Sequence, residues 1–438
     1  MSAVVDFPVK PEARPYLDAF DAHGGEPEWL VRQRRRSLAR FAEQGFPSRR
    51  GEAWRYLDLR SLERAPLLPA GTAVGAAPRS LLGDISFPDA AHRLVLMDGR
   101  FMPELSVTAG LPAGVWLGST AAAIGARPEL ARAALELLSN DGDQPFAALN
   151  AAFFTDGFVL DAAPGIVVEQ PIEIVHLASG KVSGSLHTRN FVSLGAQSRV
   201  RLIESFAGVG RYWRNDVIAL RLAAGAELNH VALVEEADDA FHFGTVGAAL
   251  GPAARLDSFV LLLGGRTVRH EAVVHSAGEG AHCGLYGAFL AAGHQEANIV
   301  TTVDHSAERG ETREVFKGVA AGRAHGAFQG RITVRPGAQK VDAHMLSRNL
   351  LLGAHAAIDT KPELEILADD VKCSHGAAVG DLDEDALFYL LARGIPRDEA
   401  RQMLIAAFLR EAVEAVEPAA VREHLLSRLG RRLAVLEE

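Results

Sequence analysis

Hydrophobic and polar positions fall into distinct rhythms along the chain, and the longest lies in its middle. From about Phe154, short runs rich in Val, Ile, Leu and Phe alternate with Gly-Ala-type turns. Gly165, Gly195, Gly225, Gly251, Gly280, Gly310 and Gly337 follow one another at intervals of 30, 30, 26, 29, 30 and 27 residues. A repeat of that length, with two or more strands and no helical insert, predicts stacked coils that bury their apolar faces only against neighbouring coils. Strands paired in parallel ~4.8 Å apart would make about seven coils a rod on the order of 30 Å long. The six-residue apolar period of a hexapeptide helix is not found. A β-sandwich with regular loops is the alternative that the same pattern allows.

The flanks have other periods. Leu30, Leu38 and Phe41 stand among arginines between Pro27 and Gln44, with Gly45 and Pro47 behind them, which predicts an amphipathic helix with a glycine stop. The run Arg32, Arg34, Arg35 and Arg36 reads as its solvated face. A Pro- and Gly-rich stretch covers Pro66 to Pro78. Leu94 and Leu96, then Asp98-Gly99 and Phe101, predict a strand and a tight hairpin, and Ala121 to Ser139 returns to helical spacing. Beyond Gly380 the period is again 3.6. Asp383 caps a helix with Leu387, Phe388, Leu390 and Leu391, which Gly394 and Pro396 end. A second helix aligns Ala400, Met403, Leu404, Ala407, Phe408 and Val413, and a third, after Pro418, aligns Val421, Leu425, Leu429 and Leu433. Three such helices either cap the open edge of a solenoid or dock a partner. The expected division is 1–90 helical, 91–153 hairpin and helix, 154–380 β-solenoid core and 381–438 helical.

Composition narrows the function. At 438 residues the chain exceeds what one growing core accommodates, so several domains or an elongated repeat are expected. A net charge of −10 argues against a nucleic-acid groove. The two cysteines, Cys283 and Cys373, are too few for a zinc ribbon or a disulfide framework and fit a reducing compartment. Met1 to Leu17 carries acidic residues and prolines where a secretory leader needs an unbroken apolar stretch, and no window approaches the ~18 apolar residues of a membrane span. A soluble, cytoplasmic protein without nucleic-acid or membrane partners is expected.

No phosphate-binding G-x-x-x-x-G-K-[ST], no G-x-G-x-x-G after a strand and no G-x-S-x-G elbow occurs, so nucleotide hydrolysis and α/β-hydrolase chemistry have no support. Single histidines such as His230, His242, His270 and His294 read as structural or surface residues. One cluster stands apart, Asp369-Asp370-Val371-Lys372-Cys373-Ser374-His375-Gly376. If it is extended, alternation puts Cys373 and His375 on one face about 7 Å apart. A soft thiolate beside an imidazole suits iron, iron–sulfur or zinc coordination, and Lys372 could lower the thiol pKa, although it would point to the other face of a regular strand. The alternative is a small buried Cys373 and a turn residue at His375. Two ligands also fall short of the four that a cluster usually takes, so others must come from elsewhere, most simply from a second subunit. Cys283 lacks this context and reads as structural.

Longer motifs surround that cluster. Glu52, Trp54, Arg55 and Tyr56 form an E-x-W-[KR]-Y motif; Asn150, Ala152, Phe153, Asp156 and Gly157 lead into the repeat. Lys361 to Ile366, Asp369 to Ala377, and then Leu387, Phe388, Tyr389, Leu390, Arg393 and Gly394 complete a pattern spanning nearly the whole chain. In this the sequence resembles the SufB/SufD family of iron–sulfur cluster assembly proteins, on its SufD side. The SufB side should carry a cysteine within Ser347 to Gly353, where this chain reads Arg348, Asn349, Leu350, Leu351 and Leu352. Leu57 and Leu367 depart from the SufD pattern.

The resemblance implies a mainly β fold, a right-handed parallel β-helix between N- and C-terminal helical regions. It also implies a non-enzymatic scaffold working with a SufB-like paralogue and a SufC-like ABC ATPase, which would hydrolyse the ATP. His375 would face a SufB cysteine with Cys373 beside it, and iron or a nascent iron–sulfur cluster would be shared across that interface. The C-terminal helices would dock SufC, with Leu387, Phe388, Tyr389, Arg393, Met403 and Phe408 as the candidate contacts. Whether a flavin binds the complex and whether the chain forms a homodimer are left open. From the residues alone, a β-helix carbohydrate-active enzyme and a purely structural solenoid are the other readings.

Overall fold

Short apolar-rich strands need cover, and the chain provides it by coiling. A computed structural model describes residues 9–20, 25–64, 66–71, 75, 79–88, 90–137, 144–181 and 183–436. Helices α1 (Arg14–Ala19), α2 (Glu28–Gln44), α3 (Arg60–Arg64) and α4 (Arg79–Ile85) come first. Then follow β1 (His92–Met97), β2 (Arg100–Phe101), β3 (Val115–Ser119), α5 (Thr120–Ala126), α6 (Pro128–Glu136) and α7 (Pro145–Phe153). The repeat consists of β4 (Phe158–Ala162), β5 (Ile172–Ala178), β6 (Ser185–Leu194), β7 (Arg199–Gly208), β8 (Trp213–Leu222), β9 (Glu227–Glu235), β10 (Phe241–Leu250) and β11 (Arg255–Leu262). It continues through β12 (Thr267–Ser276), β13 (His282–Ala291), β14 (Glu296–His305), β15 (Glu311–Ala321), β16 (His325–Val334), β17 (Asp342–Leu352), β18 (Ala357–Ile366) and β19 (Lys372–Gly380). Helices α8 (Glu384–Ala392), α9 (Arg397–Val413) and α10 (Ala419–Ala434) end it.

Successive strands alternate between two sheets. One runs β18-β16-β14-β12-β10-β8-β6-β4-β3 and the other β19-β17-β15-β13-β11-β9-β7-β5-β1-β2. Within the repeat all pairing is parallel, between a coil and the next: Trp213 lies opposite Phe241, Phe241 opposite Thr267, and Thr267 opposite Glu296. This is a β-solenoid, and parallel pairing at a coil's separation removes the antiparallel sandwich. The hairpin predicted around Asp98-Gly99 is present, and its first strand, β1, extends the second sheet by pairing in parallel with β5.

The turns explain the glycine rhythm. On one edge of the solenoid seven successive turns each place one residue in the left-handed region: Gly165, Gln197, Gly225, Ala253, Gly280, Arg309 and Lys340. Glycine reaches that region without a Cβ clash, so the coil period is partly legible as glycine spacing. These turns stack through backbone bonds, as from Gln197 N to Ala224 O, Gly225 N to Pro252 O and Ala253 N to Glu279 O. Four of the glycines counted in the sequence, Gly195, Gly251, Gly310 and Gly337, occupy other turn positions.

Three apolar layers result. The solenoid interior holds Leu96, Ile174, Val192, Leu220, Ile299 and their neighbours. The outer face of the first sheet is covered by the N-terminal region, where Trp213, Phe241 and Phe243 pack with Phe41, Trp54 and Phe146. The outer face of the second sheet is covered by α4, α9 and α10, where Val231, Leu233, Phe259 and Leu261 meet Ile85, Ile405, Leu409, Leu425 and Leu429. Strands buried on both faces can read as continuous apolar runs, but here they also carry buried polar side chains, such as His187, Arg189 and Asn190 on β6.

Four expectations need correction. The 121–139 stretch is two helices, divided at Arg127 ahead of Pro128, and Ser139 lies outside the described residues. Arg34 is not solvated: it is buried, paired with Glu26 at 2.8 Å, donates to the Ala152 carbonyl and sits 4.1 Å over the Phe154 ring. In α9 the buried stripe is Ala400, Ile405, Leu409, Ala412 and Val413, which turns Met403 outward. Of the two roles open to the C-terminal helices, α9 and α10 do not cap the last coil: they lie along the second sheet, where Arg428 bonds Glu235 of β9 at 2.6 Å and Lys317 of β15 bonds Glu411.

Candidate functional site

The two final strands each pair on one side only, β18 with β16 and β19 with β17. That end of the solenoid therefore presents unpaired backbone edges, with Ile366, Leu367 and Val379 each 40–49% exposed. Cys373 and His375 lie on β19. Their ladder neighbours on β17, Ala343 and Met345, are buried, so both positions belong to inward-facing rows. No further coil covers them, which leaves His375 exposed and Cys373 half-buried. The structure thus brings the two sequence-predicted ligands together at the mouth of the coil stack.

The His375 ring reaches from one sheet towards the other: Nδ1–H donates to the Pro362 carbonyl of β18 at 3.1 Å. A carbonyl only accepts, so this bond puts the proton on Nδ1 and leaves the Nε2 lone pair for a ligand. Cys373 behaves otherwise. Burial pushes its thiol up from 9.0, Asp342 adds to the rise, and a backbone bond at Ala343 offsets part of it. Lys372 does not lower the thiol pKa: the side chain is exposed on the outer face, where alternation predicted it. Cys283 is fully buried, and burial drives its thiol well above the usual range, which fits the structural reading.

Coil stacking also assembles groups that look solitary in the sequence. Leu202, His230, Ser258, Leu285, Glu314, Met345 and His375 form one inward row, each opposite the next. The buried Glu204 carboxylate accepts from His176 Nε2 at 3.1 Å and His230 Nε2 at 2.9 Å. Burial alone would raise it, but these two bonds hold it at about 2. Glu236 is likewise pushed up by burial and held at about 2 by Arg214 and His242, at 2.5 and 3.0 Å. Glu314 has no such support. Thr301 donates to one oxygen at 2.7 Å, the other has no partner, and burial raises the acid to about 8. The signal that could have found this network is spacing: Glu204, His230 and Ser258 follow one another by 26 and 28 residues, a coil length. His294 instead lines a groove of about 710 Å³ with Asp238, Arg266 and Arg432.

On the C-terminal helices, Phe388 is 72% and Tyr389 58% exposed, with Arg393 5.0 Å over the Tyr389 ring and Met403 also outward. Leu387 is buried and Phe408 half-buried under Lys317, 4.4 Å from its ring. Those two hold the helices in place, and neither forms part of an open surface. Among the described residues no three His, Cys, Asp or Glu side chains converge as a metal site, and no helix is long and apolar enough to cross a membrane.

Comparison with known proteins gives these features a context. The profile of the SUF system FeS cluster assembly SufBD core domain matches residues 176–408, and that of the SufBD protein N-terminal region matches 88–174. The chain is 30% identical to an iron–sulfur cluster assembly SufBD family protein of Synechocystis, over 92% of this chain and 91% of that one. It is 29% identical to the iron–sulfur cluster assembly protein SufD of Escherichia coli, over 92% of each chain. To the chloroplast protein ABCI7 of Arabidopsis thaliana it is 29% identical, over 90% of this chain and 84% of that one.

Proposed function

The chain belongs to the SufBD family of iron–sulfur cluster assembly proteins, and from that premise we propose that it is a SufD-type scaffold whose uncovered coil end completes a cluster-building site with a SufB-like paralogue. The observation that carries this reading is the location of His375: on the last strand, at an unpaired sheet edge, with Nδ1 bonded to Pro362 and no partner at Nε2 among the described residues. An open edge with exposed apolar residues is a template for a second sheet, and burying it against another solenoid would bring that subunit's ligands to His375.

Iron or a nascent cluster is the cargo here. His375 supplies a ready nitrogen, while Cys373, its thiol raised by burial, loses a proton when iron binds. The partner contributes the remaining ligands, a cysteine first among them. The exposed Phe388, Tyr389, Arg393 and Met403 then serve a SufC-like ATPase docked on the C-terminal helices. ATP hydrolysis on that partner would bias the geometry of the interface, so this chain acts without a phosphate loop of its own.

The test is cluster formation in the reconstituted three-protein complex with His375→Ala. A severe loss of assembly with an intact complex is the expected result. Wild-type assembly would remove His375 from the mechanism.

A further inference from the structure

The E-x-W-[KR]-Y motif, Glu52 to Tyr56, has no part in the function proposed above. Its residues nevertheless run across the outer face of the first sheet towards the mouth. Trp54 is buried, with the Arg269 guanidinium of β12 3.8 Å over its ring. The Ala53 carbonyl accepts from Arg269 at 2.9 Å and from Gln329 of β16 at 3.2 Å. Glu52, one residue earlier, reaches Arg331 of β16 at 3.3 Å and bonds Lys361 of β18. Lys361 is followed directly by Pro362, whose carbonyl holds the His375 ring.

Each link has a physical role. Strand β18 is terminal, with one neighbour in its own sheet, so nothing further along the stack restrains it. Glu52 belongs to a segment clamped by an aromatic ring, a buried guanidinium and two carbonyl bonds, and so stands as a fixed post. A surface ion pair such as Glu52 with Lys361 contributes little to global stability. It can still limit local movement of the strand that carries it, and the orientation of a ligating imidazole is set by the group its other nitrogen bonds.

We propose that Glu52 is a positioning residue for the cluster site: through Lys361 it steadies the last strand of the first sheet, so that the Pro362 carbonyl keeps the His375 proton on Nδ1 and Nε2 facing the mouth. This rests on the reading of His375 as a ligand, but the geometric claim concerns this chain alone and is measured without iron. The N-terminal region thereby acts on a residue more than 300 positions away in sequence.

The experiment records imidazole ¹⁵N resonances of the full chain labelled at histidine, with His375 assigned by its loss in His375→Ala. Glu52→Ala and Lys361→Ala should each shift the His375 tautomer ratio towards Nε2–H by about two- to five-fold, the range set by one exposed ion pair. The double variant should be no worse than either single one, and Lys361→Arg should keep the wild-type ratio. Thermal melting separates this from loss of structure, because a positioning role leaves Tm close to wild type. An unchanged His375 tautomer in both single variants, in folded protein, overturns the proposal. If the tautomer shifts while His375→Ala assembles clusters normally, the positioning stands and the ligand reading fails.

Discussion

Among single residues, Glu314 makes the sharpest forecast. Its folded pKa of about 8 lies above the ordinary 4.5 because burial disfavours the charge. The folded state therefore keeps a proton that the unfolded state has already lost between these values. Stability from this group is full below about pH 4.5 and falls as pH rises through about 8, by a few kcal/mol at most. Glu314→Gln should remove that slope, leaving the variant more stable than wild type at pH 8 and similar to it at pH 5, as read by denaturant unfolding at both pH values. His187 has the opposite sign: burial lowers it to about 3, so its contribution fades as pH falls from 6.5 towards 3. Cys373 gives a second residue-scale test. If it ligates iron as proposed, its proton leaves on binding, so iron uptake by the assembled complex should strengthen with pH, by up to about tenfold per unit below the thiol pKa. Cys373→Ser should flatten that dependence in iron titrations. The pairing of Cys373 with His375 was legible from strand alternation, whereas the raised thiol pKa was not, because it depends on how far the preceding coil covers the sulfur.

At the scale of elements, the C-terminal helices bury some of their apolar residues against the second sheet and leave others exposed. Helix α10 buries Val421, Leu425, Leu429 and Leu433, the stripe its sequence predicts, since those are its regularly spaced apolar positions. Leu425→Ala should cost about 2–5 kcal/mol and lower Tm, as for other large-to-small changes in a packed layer. Helix α9 is apolar on more than one side, so spacing selected a stripe through Met403 and Phe408, whereas packing on the sheet chose Ile405 and Leu409. On α8, Phe388 and Tyr389 remain outside. Phe388→Asp with Tyr389→Asp should therefore abolish co-purification of a SufC-like ATPase while Tm stays within a degree or two, since neither ring is buried. A coupled fall in Tm and binding would instead place these rings in the fold.

For the molecule as a whole, the solenoid is clothed on both outer faces and bare at its last coil. Ile366 and Val379 stand exposed on the two strands at that edge, where a charge obstructs addition of another sheet. Ile366→Lys with Val379→Lys should block pairing with a SufB-like partner, measured by light scattering of the mixed proteins, without changing the melt of the isolated chain.

The sequence by itself determined the coil: its length, its two strands and the helices beyond it. These follow from propensities that act over a few residues and then repeat, so local pattern carries them. Only the tertiary structure decided which faces the helices cover, that Arg34 and the Glu204 network are buried, and that the N-terminal motif reaches Lys361. Each of these depends on residues a full coil or several hundred positions apart becoming neighbours, and that is set by stacking register and by which apolar face finds which cover.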